Sequence, residues 1–456
     1  MTAPILIASR LRLDPPPSER AAEGQLLRQQ TPRGAHAVWT PARSRPSIID
    51  LLEASNQGRL RSLVPIRHGR MLASPFAFLR GSASIMAHDL VNTPVTGILA
   101  QICGDAHLGN FGGFATPERN LIFDLNDFDE TLRGPWEWDV KRLAASVFVC
   151  GRVNGLSDEQ CRDAVMAAAR SYRHRTRRYA EMRYLDIWYE RIDADQAVDH
   201  GDSGLEPLEK ALAKGRRKTN VETLPKLAEQ VDGTWLIGND PPLLTHQAAA
   251  LTRRLPGLVA SYKESLPADR RVVLERYRLV DLARKVVGIG SVGTRCYVAL
   301  LFGSHDDDPL FLQIKEAGRS VIEQALGERQ HGQHGERVVS GQRIMQAASD
   351  LFLGWAQDGR RHYYVRQLRD MKSSVDLNDL DAGELIDYAS LCGWALAHAH
   401  ACSGDAAQIG GYLGKSHCFD EAIATFASVY ADQTERDFND LVTAVKHGQI
   451  RAEMGV

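Results

Sequence analysis

Two acidic stretches carry the residues whose types and spacing best fit a chemical task. GDAHLGN spans 104–110 and DLNDFDE spans 124–130, each directly after an apolar, strand-like run. Loops held at the ends of strands commonly carry reactive groups. Asp105, Asn110 and Asp127 make up the set that phosphoryl transfer requires: a carboxylate to orient an attacking hydroxyl, and carboxylate and amide oxygens to hold magnesium against phosphates. Asp124 competes with Asp127 for the role of principal metal ligand. The carboxylates at 124, 127 and 129 repel one another, a repulsion that a cation relieves. For each aspartate taken singly, the ordinary alternative stays open: Asp105 caps a turn, and the other three form a solvated loop. A calcium loop of the helix–loop–helix type is excluded, because D-x-N-D lacks the required glycine and distal glutamate.

A second constellation lies 183 positions beyond Asp105, in KVVGIGSVG (285–293). A lone G-x-G-x-x-G is a weak signal. Here the run that follows, RCYVALLF, reads as a strand, whereas dinucleotide binding requires a helix there. Strand, glycine loop and strand is the arrangement in which backbone amides cover ATP phosphates, with Gly288, Gly290, Ser291 and Gly293 as the covering residues. The next strand ends LFLQIKEA. Lys315 at its end is placed like the lysine that pairs the α- and β-phosphates, although a lysine at a strand end is ordinarily a surface residue. Glu323 is the first candidate for the glutamate that such a lysine needs, with Glu316 and Glu336 as the others. Arg80 in FLRGSA, together with Arg366 and Arg369, is a candidate phosphate or substrate contact, with capping or ion pairing as the ordinary role.

GDAHLGN resembles the GDxHxxN catalytic loop of aminoglycoside phosphotransferases and related kinase-like small-molecule kinases. LNDFDETLRGPWEWDVKRLA is similar to their metal-binding segment and the helix after it. That resemblance implies Asp105 as catalytic base, Asn110 and Asp127 as magnesium ligands, and Asp139 on the structural helix that follows. One departure is Cys103, where those families usually carry histidine. With RHGRMLASPFAFLRGSA, VVSGQRIMQAASDLFLGW and YYVRQLRDMK, most of 66–430 resembles an uncharacterised bacterial family of unknown function grouped with the kinase-like superfamily. The motifs stand in the reverse of the usual order. Either the fold is circularly permuted, which closely spaced surface termini permit, or one motif set is coincidental. LCGWALAHAHA near the end resembles the helix that normally runs into the catalytic loop.

The elements that must position these residues follow from periodicity. Helices are expected near 47–54, 76–90, 136–153, 158–193, 204–228, 247–266, 320–327, 338–355 and 385–401. Strands are expected near 95–103, 120–127, 285–302, 310–315 and 362–368, the third and fourth of these joined by the turn-rich GSHDDDP. Residues 1–65, rich in Arg, Pro and Ser, read as a wrapping arm that is partly disordered in isolation. The expected organisation is therefore an arm at 1–65, a mainly helical large-lobe part at 66–274, a small lobe at 275–375 and a helical large-lobe remainder at 376–456. The fold class is α+β, a two-lobe protein-kinase-like fold in permuted order.

The net charge of −2 gives no reason to expect a nucleic-acid or membrane partner. Seven widely spaced cysteines without a CxxC pair argue against a disulfide framework or zinc site. The first residues lack a signal-peptide core, and no run approaches the length of a membrane span. A cytoplasmic protein is expected. The histidines at 331 and 334 read as part of a mobile loop, and those at 398 and 400 as structural. The signatures of serine hydrolases and zinc peptidases are missing. The sequence thus points to ATP- and magnesium-dependent transfer of phosphate to a hydroxyl on an unknown small-molecule or protein acceptor. Nucleotidyl transfer on the same fold and non-catalytic nucleotide binding are the alternatives.

Overall fold

The computed structural model describes residues 15–201, 205–246, 255–327, 331–368 and 371–456. It is a mixed α and β protein with several sheets. Its main sheet is antiparallel and six-stranded, in the spatial order Gly354–Asp358, Arg361–Gln367, Pro309–Ala317, Cys296–Phe302, Arg278–Lys285 and Leu244–His246. Alternation along the strands sorts its faces. Leu312, Ile314, Tyr363 and Val365 join Tyr262 and Leu266 in one apolar layer, under the helix Leu255–Ser265. Gln313, Lys315, Tyr364 and Arg366 point to the opposite side, and register pairs Gln313 with Arg366 and Lys315 with Tyr364.

The strand Arg278–Lys285 lies just before the first strand expected in the small lobe, which starts at 285. Its apolar residues at 279, 280 and 282 fit either period in so short a run, and pairing along Cys296–Phe302 decides for strand. Helix His334–Met345 stops ten residues before the expected end, because Gly354–Asp358 is taken into the sheet. His334 opens this helix instead of lying in a loop, and its N–H donates to His362 Nδ1 at 3.1 Å. The first eight positions of the helix expected at 247–266 lie outside the described residues.

The largest apolar core joins the helices Trp136–Val153, Asp158–Tyr179, Ala382–Ala401 and Cys418–Lys446. Alanine and glycine let Asp158–Tyr179 and Ala382–Ala401 approach closely: a methyl group on Gly393 would lie 2.3 Å from the carbonyl oxygen of Ala168. Arg173 and Asp420 form an ion pair inside this core at 2.8 Å, with 2% and 0% of their side chains exposed. The described part of the arm wraps the molecule. Helix Pro17–Leu26 lies on Ala406–Leu413, with Gly24 against the carbonyl of Gln408. Arg45 pairs with both Asp89 and Asp437. The chain then passes the glycine-rich loop, where Leu60 N–H donates to Gly293 O at 2.7 Å.

The joint between the helix Ala382–Ala401 and the strand Leu99–Ile102 matters most for the site. Helix Ala382–Ala401 ends beside the strand Leu99–Ile102, where Gln101 N–H donates to Ser403 Oγ at 3.0 Å. Two stretches some 300 residues apart in sequence therefore meet end to end. Among the described residues no helix is long and apolar enough to cross a membrane. Asp420→Ala leaves Arg173 charged and buried without its partner, so we expect a loss of about 3–5 kcal/mol, seen as a lower midpoint of urea unfolding.

Candidate active site

The catalytic-loop candidate begins where the strand Leu99–Ile102 ends, and the carboxylate of Asp139 fixes its geometry. Asp139 lies one turn into the helix Trp136–Val153; its Oδ2 accepts from Cys103 N–H at 2.6 Å and its Oδ1 from Gly104 N–H at 2.8 Å. Gly104 has a φ of +78°, and a side chain there would strike the carbonyl of Glu130, so glycine is needed for both backbone and space. Asp105 is thereby turned into a cleft of about 800 Å³. Asn110 donates its amide to Asp105 O at 2.5 Å, so its amide oxygen is the side-chain atom that could face a cation.

This cleft brings the two distant motif sets together. Asp105, Asn110 and Asp127 line it alongside Gly288, Gly290, Ser291 and Lys315. Gly288 and Gly290 have open space or only distant contacts where a side chain would be, whereas Gly293 is needed for its φ of +92° and packs on Arg59 behind the loop. Lys315 is 3% exposed; its Nζ pairs with Asp129 and lies 3.7 Å from Asp127 Oδ2. Asp129 also accepts from Tyr364 at 2.8 Å and from Ser291 Oγ at 3.3 Å, tying the acidic loop to both the sheet and the glycine loop.

Electrostatics separates the carboxylates. Burial raises Asp105 to about 7 against the opposing pull of Arg142, whose guanidinium lies 2.8 Å from Oδ1. A carboxyl near neutrality is well matched to proton transfer. Burial also works against the charged form of Asp127, but Lys315, Arg366 and Lys372 overcome it and hold that carboxyl well below its ordinary value. Lys315 is desolvated, and Asp127 and Asp129 keep it protonated, well above the ordinary lysine value. His107 Nε2 sits 3.9 Å from Asp105 Oδ2; burial, then Arg80 and Arg142, push it well below its ordinary value and hold it neutral.

Two expected site residues lie elsewhere. Asp124 faces away from the cleft on the strand Leu121–Leu125, its Oδ1 accepting from Leu125 N–H and its Oδ2 from Ala347 N–H at 3.0 Å. Asp129 takes its place at the cleft. Glu323 is fully buried on the short helix Val321–Leu326, 3.6 Å from Arg319, and does not line the cleft. Lys315 pairs with the acidic loop instead of with Glu323. Glu316 pairs with Arg295 and Arg361, and Glu336 is exposed.

Three contributors carried little sequence signal. Arg142 follows Asp139 by three positions, which puts both on one helix face. Arg59 comes from a stretch without a motif, and Arg67 opens RHGRMLASPFAFLRGSA, a stretch that assigns it no role. Arg366 donates to Gln313 Oε1 at 3.1 Å and to Asn126 O at 3.2 Å. Arg366 and Gln313 also line a second hollow of about 230 Å³ with Gln342, Gln346, Gln367 and Lys372. Arg369 lies outside the described residues.

Could the site hold a metal? Among the described residues no group of three or more His, Cys, Asp or Glu side chains is arranged to do so alone. The donor set nevertheless suits magnesium, which is typically bound by one or two carboxylates together with substrate phosphates: Asp127 is ionised at the cleft and Asn110 adds an amide oxygen.

The chain belongs to a family of uncharacterized proteins conserved in bacteria, DUF2252, whose match covers residues 59–444. No match was found among curated proteins or among solved structures.

Asp105 gives this site a pH signature. Its carboxyl titrates near 3.9 in an unfolded chain and at about 7 in the fold, so between those values the folded state binds the extra proton. The associated stability is complete below the unfolded value and is lost as pH rises through about 7. The stability of the wild type relative to Asp105→Asn should therefore decline from pH 4 to pH 7 and level off above it, as measured by thermal unfolding of both proteins across that range.

Proposed function

We propose that this chain is an ATP- and magnesium-dependent phosphotransferase with a circularly permuted, kinase-like two-lobe fold, acting on a hydroxyl of its acceptor. The observation that carries this reading is the meeting of Asp105, Asn110 and Asp127 with Gly288, Gly290, Ser291 and Lys315 in one cleft. Coincidental motifs 183 residues apart have no reason to converge with catalytic geometry. The joint at Gln101 and Ser403 supports permutation, since the helix Ala382–Ala401 ends where an unpermuted chain would run on into the catalytic strand.

In this reading the glycine loop covers the phosphates and Lys315 moves from the acidic loop onto the α- and β-phosphates. That exchange frees Asp127, which with Asn110 would hold magnesium. Bound there, magnesium supplies charge neutralisation to the phosphate oxygens. Asp105 accepts the proton of the acceptor hydroxyl as its oxygen bonds to the γ-phosphorus; the bond from that phosphorus to the bridging oxygen breaks, and ADP leaves. Arg142 orients the Asp105 carboxylate.

Thermal-shift titration with magnesium and ATP tests the reading. A ligand that binds only the folded state adds about 2.7 kcal/mol at about 100 times its Kd. We expect magnesium-dependent stabilisation of the wild type, weakened in both Asp127→Ala and Lys315→Ala. No shift at millimolar ATP would refute nucleotide binding. Label from γ-phosphate-labelled ATP should appear on an acceptor; transfer of α-phosphate label instead would establish nucleotidyl transfer. Once an acceptor is in hand, Asp105→Asn should lower kcat by about 10²–10⁴-fold, the usual contribution of a general base.

A further inference from the structure

One wall of the cleft is built from arginines that, among the described residues, make no ion pair with a carboxylate. Arg80 closes the short helix Pro75–Gly81 and lines the cleft. Among the described residues it makes no hydrogen bond or ion pair, and its Nε is buried without a partner. Its guanidinium lies over the face of Phe76, 6.0 Å from the ring centre. Arg67 stands behind it, 1% exposed, and donates only to neutral oxygens: Ser55 Oγ at 2.9 Å, Asn56 Oδ1 at 2.5 Å and Gly81 O at 2.8 Å. Arg59 likewise donates to Ser55 O and to Val292 O, at 3.0 and 2.6 Å. Burial lowers the affinity of all three guanidiniums for their protons. The expected capping or ion-pairing role of Arg80 is therefore not what the fold gives it.

Buried charge is costly unless it is paired; Asp105 acts on Arg80, and Glu130, Asp129 and Glu316 on Arg59, without an ion pair, so a wall of cations in contact with neutral groups alone is a receptor for an anion. Its position shows which anion. A methyl group on Gly109, in the catalytic loop, would lie 3.4 Å from Arg80 Nε, and one on Gly290 would lie 3.7 Å from Arg80 O. Arg80 thus lies beside the Asp105 loop, under the glycine loop. Lys315 and the acidic loop, which serve the nucleotide phosphates, project from a different element, the sheet strand Pro309–Ala317 and the turn after Leu121–Leu125.

We propose that Arg80, supported by Arg59 and Arg67, binds an oxyanion group of the acceptor, so that the hydroxyl phosphorylated at Asp105 belongs to a molecule bearing a phosphate or carboxylate. This rests on the phosphotransferase reading above. It also separates the chain from the aminoglycoside phosphotransferases it resembles, because a polycationic acceptor would meet three guanidiniums.

The test uses the full chain and inorganic phosphate as probe, with malonate in parallel to separate phosphate from carboxylate recognition. Binding is measured calorimetrically with and without saturating magnesium and a non-hydrolysable ATP analogue. With the analogue bound, phosphate or malonate should still bind wild type, and Arg80→Gln should weaken that binding by about 10–100-fold, the usual loss for hydrogen bonds to a charged group. Arg80→Lys should recover part of it, which excludes a folding defect, and the analogue should bind all three proteins alike. The proposal is overturned if neither probe binds the analogue-loaded wild type, or if Arg80→Gln binds them as wild type does. It is also overturned if Arg80→Gln loses the analogue itself, since the arginine then serves the nucleotide. If the analogue fails to bind wild type, the phosphotransferase reading falls, while Arg80-dependent binding of a probe would still establish the anion site.

Discussion

The carboxylate of Asp139 is the interaction on which the site depends. It is buried, and a carboxylate in that position is tolerable only when its oxygens are hydrogen-bonded. Cys103 and Gly104 supply two backbone donors, and His400 Nε2 comes within 3.3 Å of Oδ2. With the His400 proton on Nε2, its Nδ1 accepts from the hydroxyl of Tyr172 at 2.8 Å. One side chain therefore links the start of the catalytic-loop candidate to the helices Trp136–Val153, Asp158–Tyr179 and Ala382–Ala401. The direction of Asp105 is inherited from that junction.

The second constraint is charge balance between the sheet and the acidic loop. Lys315 and Arg366 point from adjacent strands into the cleft because alternation sends their neighbours Ile314 and Val365 into the apolar layer on the other face. Two cations so placed would be prohibitively costly without Asp127 and Asp129 opposite them. The same carboxylates would repel each other without those cations. Each half of the site is therefore incomplete alone, and a ligand that exchanges partners among these groups finds them already assembled. Preorganised charge of this kind is what electrostatic catalysis requires.

What the sequence reveals and what it hides follow from the range of the forces involved. The loops at 104–110 and 288–293 are legible because local steric needs dictate their residues, as at Gly104 and Gly293. The helix Trp136–Val153 is legible at both ends from its apolar spacing. Choosing among Asp124, Asp127 and Asp129 is a different matter. Asp124 is still on its strand and is captured by Ala347 N–H, more than 200 residues away, while the other two lie past the strand's end, where alternation gives no guidance. Glu323 attracts attention as an acid after the lysine strand, but nothing local shows that Asp129 will reach Lys315. Arg59 and Arg67 are invisible for the same reason: their surroundings are Val292, Ser55 and Gly81, brought together only by the wrapped arm.

The joint between Ser403 and Gln101 bears on how the molecule is made. The glycine loop and Lys315 leave the ribosome well over a hundred residues after the acidic loops, and the helix that supports the strand Leu99–Ile102 later still. Contacts of such long sequence separation form slowly and only after the distant partner exists. No nascent chain that stops short of Ser403 holds the cleft on its full support, so whatever reactivity it has switches on only after that helix has been made.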